Sequence, residues 1–194
     1  MKRLLLLLLL CSLAAIGGEI KELKTGDDVP SFALKNYDGK EFSLSAMLKE
    51  SKFAVVMFIS TECPVSNAYN ERMAKLHEAF GKKGIAFAAI NANKAESVAD
   101  IAAHAKDKGL KFPVLKDDKN VVADGFGALA TPEVFVVDQK GKLLYHGRID
   151  DSRNPEKIQS RDLANALDAL LAGKPVPVAR TKAVGCSIKR VEQE

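Results

Sequence analysis

Cysteine and histidine are both scarce in this 194-residue chain, which holds three of each. The histidines, His77, His104 and His146, share no metal-ligand spacing, so no histidine-built metal centre is written in the sequence. One charge sign barely outweighs the other: 29 Lys and Arg face 25 Asp and Glu, a formal net charge of +4. The cations are scattered, with no basic block interleaved with aromatics, which argues against nucleic-acid binding. No internal repeat or low-complexity stretch occurs beyond the N-terminus. The unbroken leucine run at residues 4–10 is too short for a comfortable transmembrane helix.

What is present is a hydrophobic content of 47%, enough at this length for one well-packed α/β domain with appendages. The N-terminus reads as a signal peptide over residues 1–18: a positive Met1-Lys2-Arg3, the leucine run, and a small-residue exit with cleavage after Gly17 or Gly18. Cys11 lies within it and raises lipidation, but the bulky Leu10 before it disfavours that processing. The expectation is a secreted or periplasmic protein with no membrane attachment after cleavage, the alternative being a signal that stays uncleaved as an anchor. The mature chain then keeps two cysteines, Cys63 and Cys186, in a compartment where thiols pair. They form either a redox-active pair or a structural staple, which the chain-entropy model values at about 4–5 kcal/mol for so long a loop.

The centre of the chain is residues 53–80. FAVVMFIS is a nearly continuous apolar run, as expected of a strand covered on both faces. TECPVS follows, and then Val65, Tyr69, Met73, Leu76 and Phe80 fall on one face of a helix. Cys63 therefore sits at the start of a helix, where free backbone N–H groups and the helix dipole favour a thiolate. Pro64 suits the first helical turn. Glu62, beside Cys63, reads as a dipole partner rather than a proton shuttle, and Tyr69 as core.

Around this unit the pattern is regular. Residues 30–48 alternate about Asp38-Gly39, a hairpin signal, with a short helix near residues 45–49. IAFAAIN is a second buried strand. Ser97 caps a helix at residues 98–108 whose inward face is Val98, Ile101, Ala102 and Ala105, and Gly109 ends it. FPVLKDD is a short strand, residues 120–125 a helical turn, and EVFVVD and KLLYHG a second hairpin. Residues 148–162, with Asp150 and Asp151, read as a solvated polar loop. A final helix, about residues 160–171, turns Leu163, Leu167, Leu170 and Leu171 inward. The order predicts a mixed central sheet flanked by helices. Residues 19–173 form the domain and residues 174–194 an extended tail carrying Cys186.

VVMFISTECPVS resembles the active-site segment of thioredoxin-fold proteins, with Cys63 in the place of the attacking cysteine and Ser66 where C-x-x-C has its second. Thr131-Pro132 in ATPEVFVVD is similar to that fold's cis-proline loop. VPSFALKNYDGKEFSLS resembles the opening of the redoxins, the peroxiredoxin-like alkyl hydroperoxide reductase and thiol-specific antioxidant family. The resemblance implies an α/β thioredoxin-like fold with an N-terminal hairpin extension. It implies a cis Pro132 lying against Cys63 and a backbone there that pairs with substrate. It also implies no cofactor, and catalytic Cys63 and Cys186 with Ser60, Pro64, Ser66, Thr131 and Pro132 around the substrate.

Departures from the pattern bear on the reaction. Ser60 and Cys63-Pro64 match a peroxiredoxin site, but Val56 stands in its proline position, and Thr131-Pro132 replaces the peroxide-activating arginine. Arg148 could serve only if its loop folds back. Ser66 cannot resolve a mixed disulfide, although its hydroxyl could donate to the thiolate. Resolution then falls to Cys186 or an outside thiol. The expected function is a thiol-based oxidoreductase acting on protein thiols and disulfides or on peroxide, with exchange favoured. The alternative is a non-catalytic binding module, with a permanent Cys63–Cys186 disulfide or a copper-carrying site made with a histidine. Oligomeric state leaves no signal in the sequence.

Overall fold

The structure, a computed structural model, describes residues 21–192. The signal-peptide reading of residues 1–18 lies outside them. In chain order, β1 (Ala33–Lys35) and β2 (Glu41–Ser43) form the hairpin and α1 (Leu44–Glu50) follows. Next come β3 (Phe53–Phe58), α2 (Pro64–Asn67), α3 (Asn70–Gly81), β4 (Ile85–Asn91) and α4 (Val98–Asp107). The second half is β5 (Val114–Lys116), α5 (Val121–Phe126), β6 (Ala130–Thr131), β7 (Glu133–Asp138), β8 (Leu143–Gly147), α6 (Asp162–Leu171) and β9 (Cys186–Ser187).

The main sheet runs β5-β4-β3-β7-β8. β3 lies at its centre, parallel to β4 and antiparallel to β7. This explains the unbroken apolar run: strand residues alternate between faces, and both faces of β3 are covered. Val55, Met57 and Ile59 point into a core with Met73 and Phe80 of α3, Ile101 of α4 and Leu163 and Leu167 of α6. Ala54, Val56 and Phe58 point the other way, to Leu44 and Leu48 of α1 and Phe126 of α5. There Phe58, Phe126 and Phe135 meet edge to face, a geometry that ring quadrupoles favour. This is the thioredoxin-like fold, with the small two-stranded sheet added at its N-terminal side.

Two elements differ from their sequence patterns. The helix expected to run unbroken from residue 65 is interrupted. At Ala68 and Tyr69 the backbone tightens, with the Tyr69 N–H donating to Ser66 three residues back, before α3 resumes. The apolar face survives the break because Tyr69, Met73 and Phe80 remain buried. Val98 is 44% exposed rather than inward; Ile101 and Ala105 are the residues by which α4 joins the core.

Ser97 does cap α4. Its hydroxyl accepts from the Asp100 N–H at 3.2 Å, and its own N–H donates back to Asp100 at 3.0 Å. Ser97→Ala should cost about 1 kcal/mol and lower Tm by about 2–4 °C in a thermal melt.

Candidate active site

β3 delivers its chain into the loop Ile59–Cys63 at the sheet's end, and hydrogen bonds fix that loop from below. The Ser60 hydroxyl accepts from the Cys63 N–H at 2.9 Å and from the Glu62 N–H at 3.2 Å. It donates in turn to Glu96 at 2.6 Å. Glu96, 3% exposed, also accepts from the Thr61 N–H (2.5 Å), the Thr61 hydroxyl (2.7 Å) and the Asn91 amide (2.5 Å). Burial pushes the Glu96 carboxyl up, but the hydrogen bonds from Ser60, Thr61 and Asn91 outweigh it and hold the group below the usual carboxylate range.

Cys63 is the N-cap of α2, and its sulfur accepts from the Ser66 N–H at 3.3 Å. The stabilising donor is thus a single first-turn N–H. The dipole of a long helix contributes less than the pattern suggested, because α2 spans four residues and such fields act within a turn. The Ser66 hydroxyl does not face the sulfur; it accepts from the Ser60 N–H at 3.2 Å, so the expected hydroxyl–thiolate contact is replaced by the backbone one. Ser60 and Ser66 are buried, and their hydroxyls are spent on the loop, whereas Pro64 is exposed beside the cysteine.

The Thr131–Pro132 peptide bond is cis. The Thr131 carbonyl oxygen lies 3.4 Å from the Cys63 sulfur. Glu133, next in the chain, braces this loop: one carboxyl oxygen accepts from the N–H groups of Leu129 (2.7 Å) and Ala130 (3.0 Å), and the other meets His146 at 2.5 Å. Burial pushes the Glu133 carboxyl up against the pull of those two N–H groups. His146 stacks on Phe135 and is joined by Arg180 of the tail.

The tail brings Cys186 to Cys63, and the two form a disulfide with Cα atoms 6.0 Å apart. Cys63 is 4% exposed and Cys186 half-buried, so Cys186 is the more accessible residue of the pair. Beside the pair a groove of about 260 Å³ is lined by Val65, Tyr69, Pro132, Arg148, Ile149 and Val184. Arg148 does fold back toward it, but its guanidinium is engaged by Asp162 at 2.7 Å. Asp150 is not solvated as its loop suggested: it is buried and paired with Arg72 at 2.5 Å, and Arg72 also stacks over Tyr69. Asp151 accepts from the Gln159 N–H. Glu62 is exposed.

None of the histidines reaches the cysteines as a copper site would need: His77 packs on Phe87 and Phe112, His104 bonds Asn67, and His146 bonds Glu133. Among the described residues no three His, Cys, Asp or Glu side chains form a metal-holding group. His104 instead supports the active loop at one remove, since Asn67 donates to the Thr61 carbonyl at 2.8 Å. Burial, with Lys108 nearby, pushes the His104 imidazole below its usual value. In the interval between the two values the unfolded chain binds the extra proton. Stability therefore rises with pH there, is complete above about 6.5, and is lost as pH falls toward the lowered value. Denaturant melts from pH 5 to 8 should show this slope, to which His77, also pushed down by burial, adds with the same sign, and His104→Asn should reduce it.

Sequence reasoning missed Glu96 and the Glu133–His146 brace. A carboxylate just before a helix cap, or just after Thr-Pro, has no pattern that distinguishes it from a surface group.

The AhpC/TSA family model matches residues 25–146 of the chain. Thiol-disulfide oxidoreductase ResA of Bacillus subtilis (strain 168) is 27% identical over 147 residues, 72% of this chain and 79% of ResA. A solved structure of a hypothetical protein from Sinorhizobium meliloti 1021 superposes with a TM-score of 0.83 at 34% identity, covering 89% of this chain and 98% of that one. An uncharacterized conserved protein from Geobacillus kaustophilus gives 0.83 at 35% identity over 88% and 94% of the two chains.

Proposed function

The chain belongs to the AhpC/TSA family of thioredoxin-fold redoxins, whose chemistry is thiol–disulfide oxidoreduction, and from that premise we propose that it is an extracytoplasmic oxidoreductase with Cys63 as nucleophile and Cys186 as resolving thiol. The observation that carries this reading is the Cys63–Cys186 disulfide at the N-cap of α2, against the cis-proline loop. In the reduced enzyme the Cys63 thiolate, held by the Ser66 N–H, attacks one sulfur of a substrate disulfide. A mixed disulfide forms and the substrate's other thiolate leaves.

The Cys186 thiolate then attacks the Cys63 sulfur, releasing the second substrate thiolate and forming the intramolecular disulfide. Two electrons pass from the cysteine pair to the substrate, and an external thiol reductant restores the pair. When that reductant attacks the more accessible Cys186, Cys63 is the leaving thiolate, and the Ser66 N–H again favours it. Exchange is preferred to peroxide reduction because the nearby guanidinium, Arg148, is held by Asp162 rather than directed at the cysteine. Protein thiols and disulfides are the substrates this chemistry fits.

Free-thiol counting by mass spectrometry tests the reading. The mature protein should show no free thiol as isolated and two after mild dithiothreitol, and the bond should re-form with a substrate disulfide. A bond that resists mild reductant would make the pair a staple. The extracytoplasmic assignment rests on the signal sequence at residues 1–18. Protein recovered from the extracytoplasmic fraction should begin at Gly18 or Glu19 by intact mass, and a cytoplasmic pool starting at Met1 would overturn it.

A further inference from the structure

The cis-proline loop is already paired. β9 lies antiparallel to β6, with Thr131 opposite Cys186 and Ala130 opposite Ser187. The tail therefore occupies the strand edge beside the nucleophile, in an extended conformation, with a cysteine over Cys63. One residue before that cysteine is Gly185. A Cβ placed there would overlap the Thr131 carbonyl, and its φ lies outside the range that itself demands glycine, so glycine is required for space.

The tail's two flanks are held without the disulfide. On one side the Thr181 N–H donates to His146 (3.1 Å) and the His146 N–H to Ala179 (3.0 Å). On the other the Ile188 N–H donates to Leu129 (3.0 Å), the Lys189 N–H to Asn93 (2.8 Å) and the Val191 N–H to Asn120 (2.7 Å). Ile188 itself is buried in the core on the α1–α5 face. Between these anchors residues 182–187 form a mostly exposed bridge that only the β6 pairing and the Cys63 bond hold down.

We propose that Gly185-Cys186-Ser187 is an internal mimic of the protein substrate: it closes the Ala130–Thr131 edge in the oxidised state, and a substrate segment that replaces it presents glycine immediately before its reactive cysteine. The proposal rests on the assignment of Cys63 as nucleophile and adds how the substrate docks. Reduction frees the bridge to lift while its anchors keep it close. An extended substrate segment then adds to the same edge by main-chain pairing, in the register that Cys186 shows, with its cysteine sulfur beside Cys63. Once the substrate strand has left the edge, still tethered through its disulfide, the Cys186 thiolate attacks the Cys63 sulfur from the side opposite the substrate sulfur, the substrate thiolate leaves, and the tail takes back the edge. The steric condition at Gly185 passes to the substrate because the Thr131 carbonyl meets whichever strand lies there.

The test is a single-turnover series on full-length mature Cys186→Ser protein. End-blocked peptides Val-Gly-Cys-Ser, Val-Ala-Cys-Ser and Val-Val-Cys-Ser carry their cysteine as a pyridyl disulfide. Cys63 attacks the peptide sulfur and expels pyridinethiolate, whose absorbance gives the rate, and reaction with dithiothreitol corrects for intrinsic reactivity. The glycine peptide should react about tenfold or more faster than the alanine and valine peptides. Adding Gly185→Ala should raise the glycine-peptide rate, because the protein's own tail no longer fits the edge. Rates equal within about twofold across the series, or an unchanged rate in the double variant, would overturn the proposal. Failure of Cys63 to react even with dithiodipyridine would instead remove the nucleophile, and the parent reading with it.

Discussion

Cys63→Ser should lower disulfide reductase turnover by about a thousandfold or more, since it removes the atom that forms the covalent intermediate. Serine keeps the size and can accept from the Ser66 N–H, but at neutral pH its hydroxyl has no base beside it, among the described residues, to make it nucleophilic. The hydroxyls of Ser60 and Ser66 are committed to the loop. Cys186→Ser should behave differently. Its single-turnover attack persists, and the protein accumulates as a mixed disulfide visible by mass, while repeated turnover stalls for want of the second thiol.

The pair of variants separates the alternatives. Retention of more than about a tenth of the activity in Cys63→Ser would exclude it as nucleophile. Full turnover in Cys186→Ser would make the disulfide a staple and leave resolution to outside thiols. Alkylation supplies an independent readout: with Cys186 replaced, Cys63 should react with iodoacetamide at neutral pH faster than the same cysteine in the unfolded chain, because the Ser66 N–H favours its thiolate.

Glu96→Ala should be the most damaging substitution remote from the sulfurs. It leaves the Ser60 hydroxyl, the Thr61 N–H and hydroxyl and the Asn91 amide without their acceptor. One buried donor left unsatisfied costs about 1–3 kcal/mol, so a loss of about 3 kcal/mol or more is expected in chemical denaturation. Ser60 also holds the Cys63 N–H, so loosening it spreads to the nucleophile. Cys63 alkylation in folded Glu96→Ala should slow toward the rate of the unfolded chain. Glu96→Gln is the control, because it keeps the volume and one acceptor while setting an NH₂ against donors.

The pH dependence has a definite sign. Because the folded Glu96 pKa lies below its ordinary value, its stabilisation is present above the ordinary carboxylate range and is lost as pH falls through the folded value. Glu96→Ala should flatten that acid limb. An unchanged melt and an unchanged alkylation rate would mean the loop is held by its own backbone.

Features set within a few residues are legible in the sequence, and those set by distant contacts are not. FAVVMFIS announces β3 because a strand covered on both faces has no polar face to alternate with. Asp38-Gly39 and the 138–141 turn announce hairpins because positive φ is a local demand, met by Gly39 and Gly141. Cys63 could be placed at a helix start for the same local reason, and Thr131-Pro132 pointed to the cis loop through its likeness to a known one. The break at Ala68–Tyr69 escaped because the apolar spacing is the same on either side of it.

The sequence by itself thus determined the elements, their order, the central strand and the cysteine at its end, since each follows from periodicity and turn chemistry within a few residues. The cysteine count already pointed to a Cys63–Cys186 pair; only the tertiary structure decided that the pair, 123 positions apart, sits against the cis-proline loop, that Glu96 lies under the active loop, and that the tail fills the edge beside Pro132. These are contacts between groups whose own surroundings in the chain are unremarkable. They exist because the β5-β4-β3-β7-β8 order brings the ends of β3 and β4 and the loop before β7 together at one end of the sheet, where Ile188 and the flanking hydrogen bonds lead the tail across. Burial there makes each polar group find a partner, and which partner depends on the path of the whole chain.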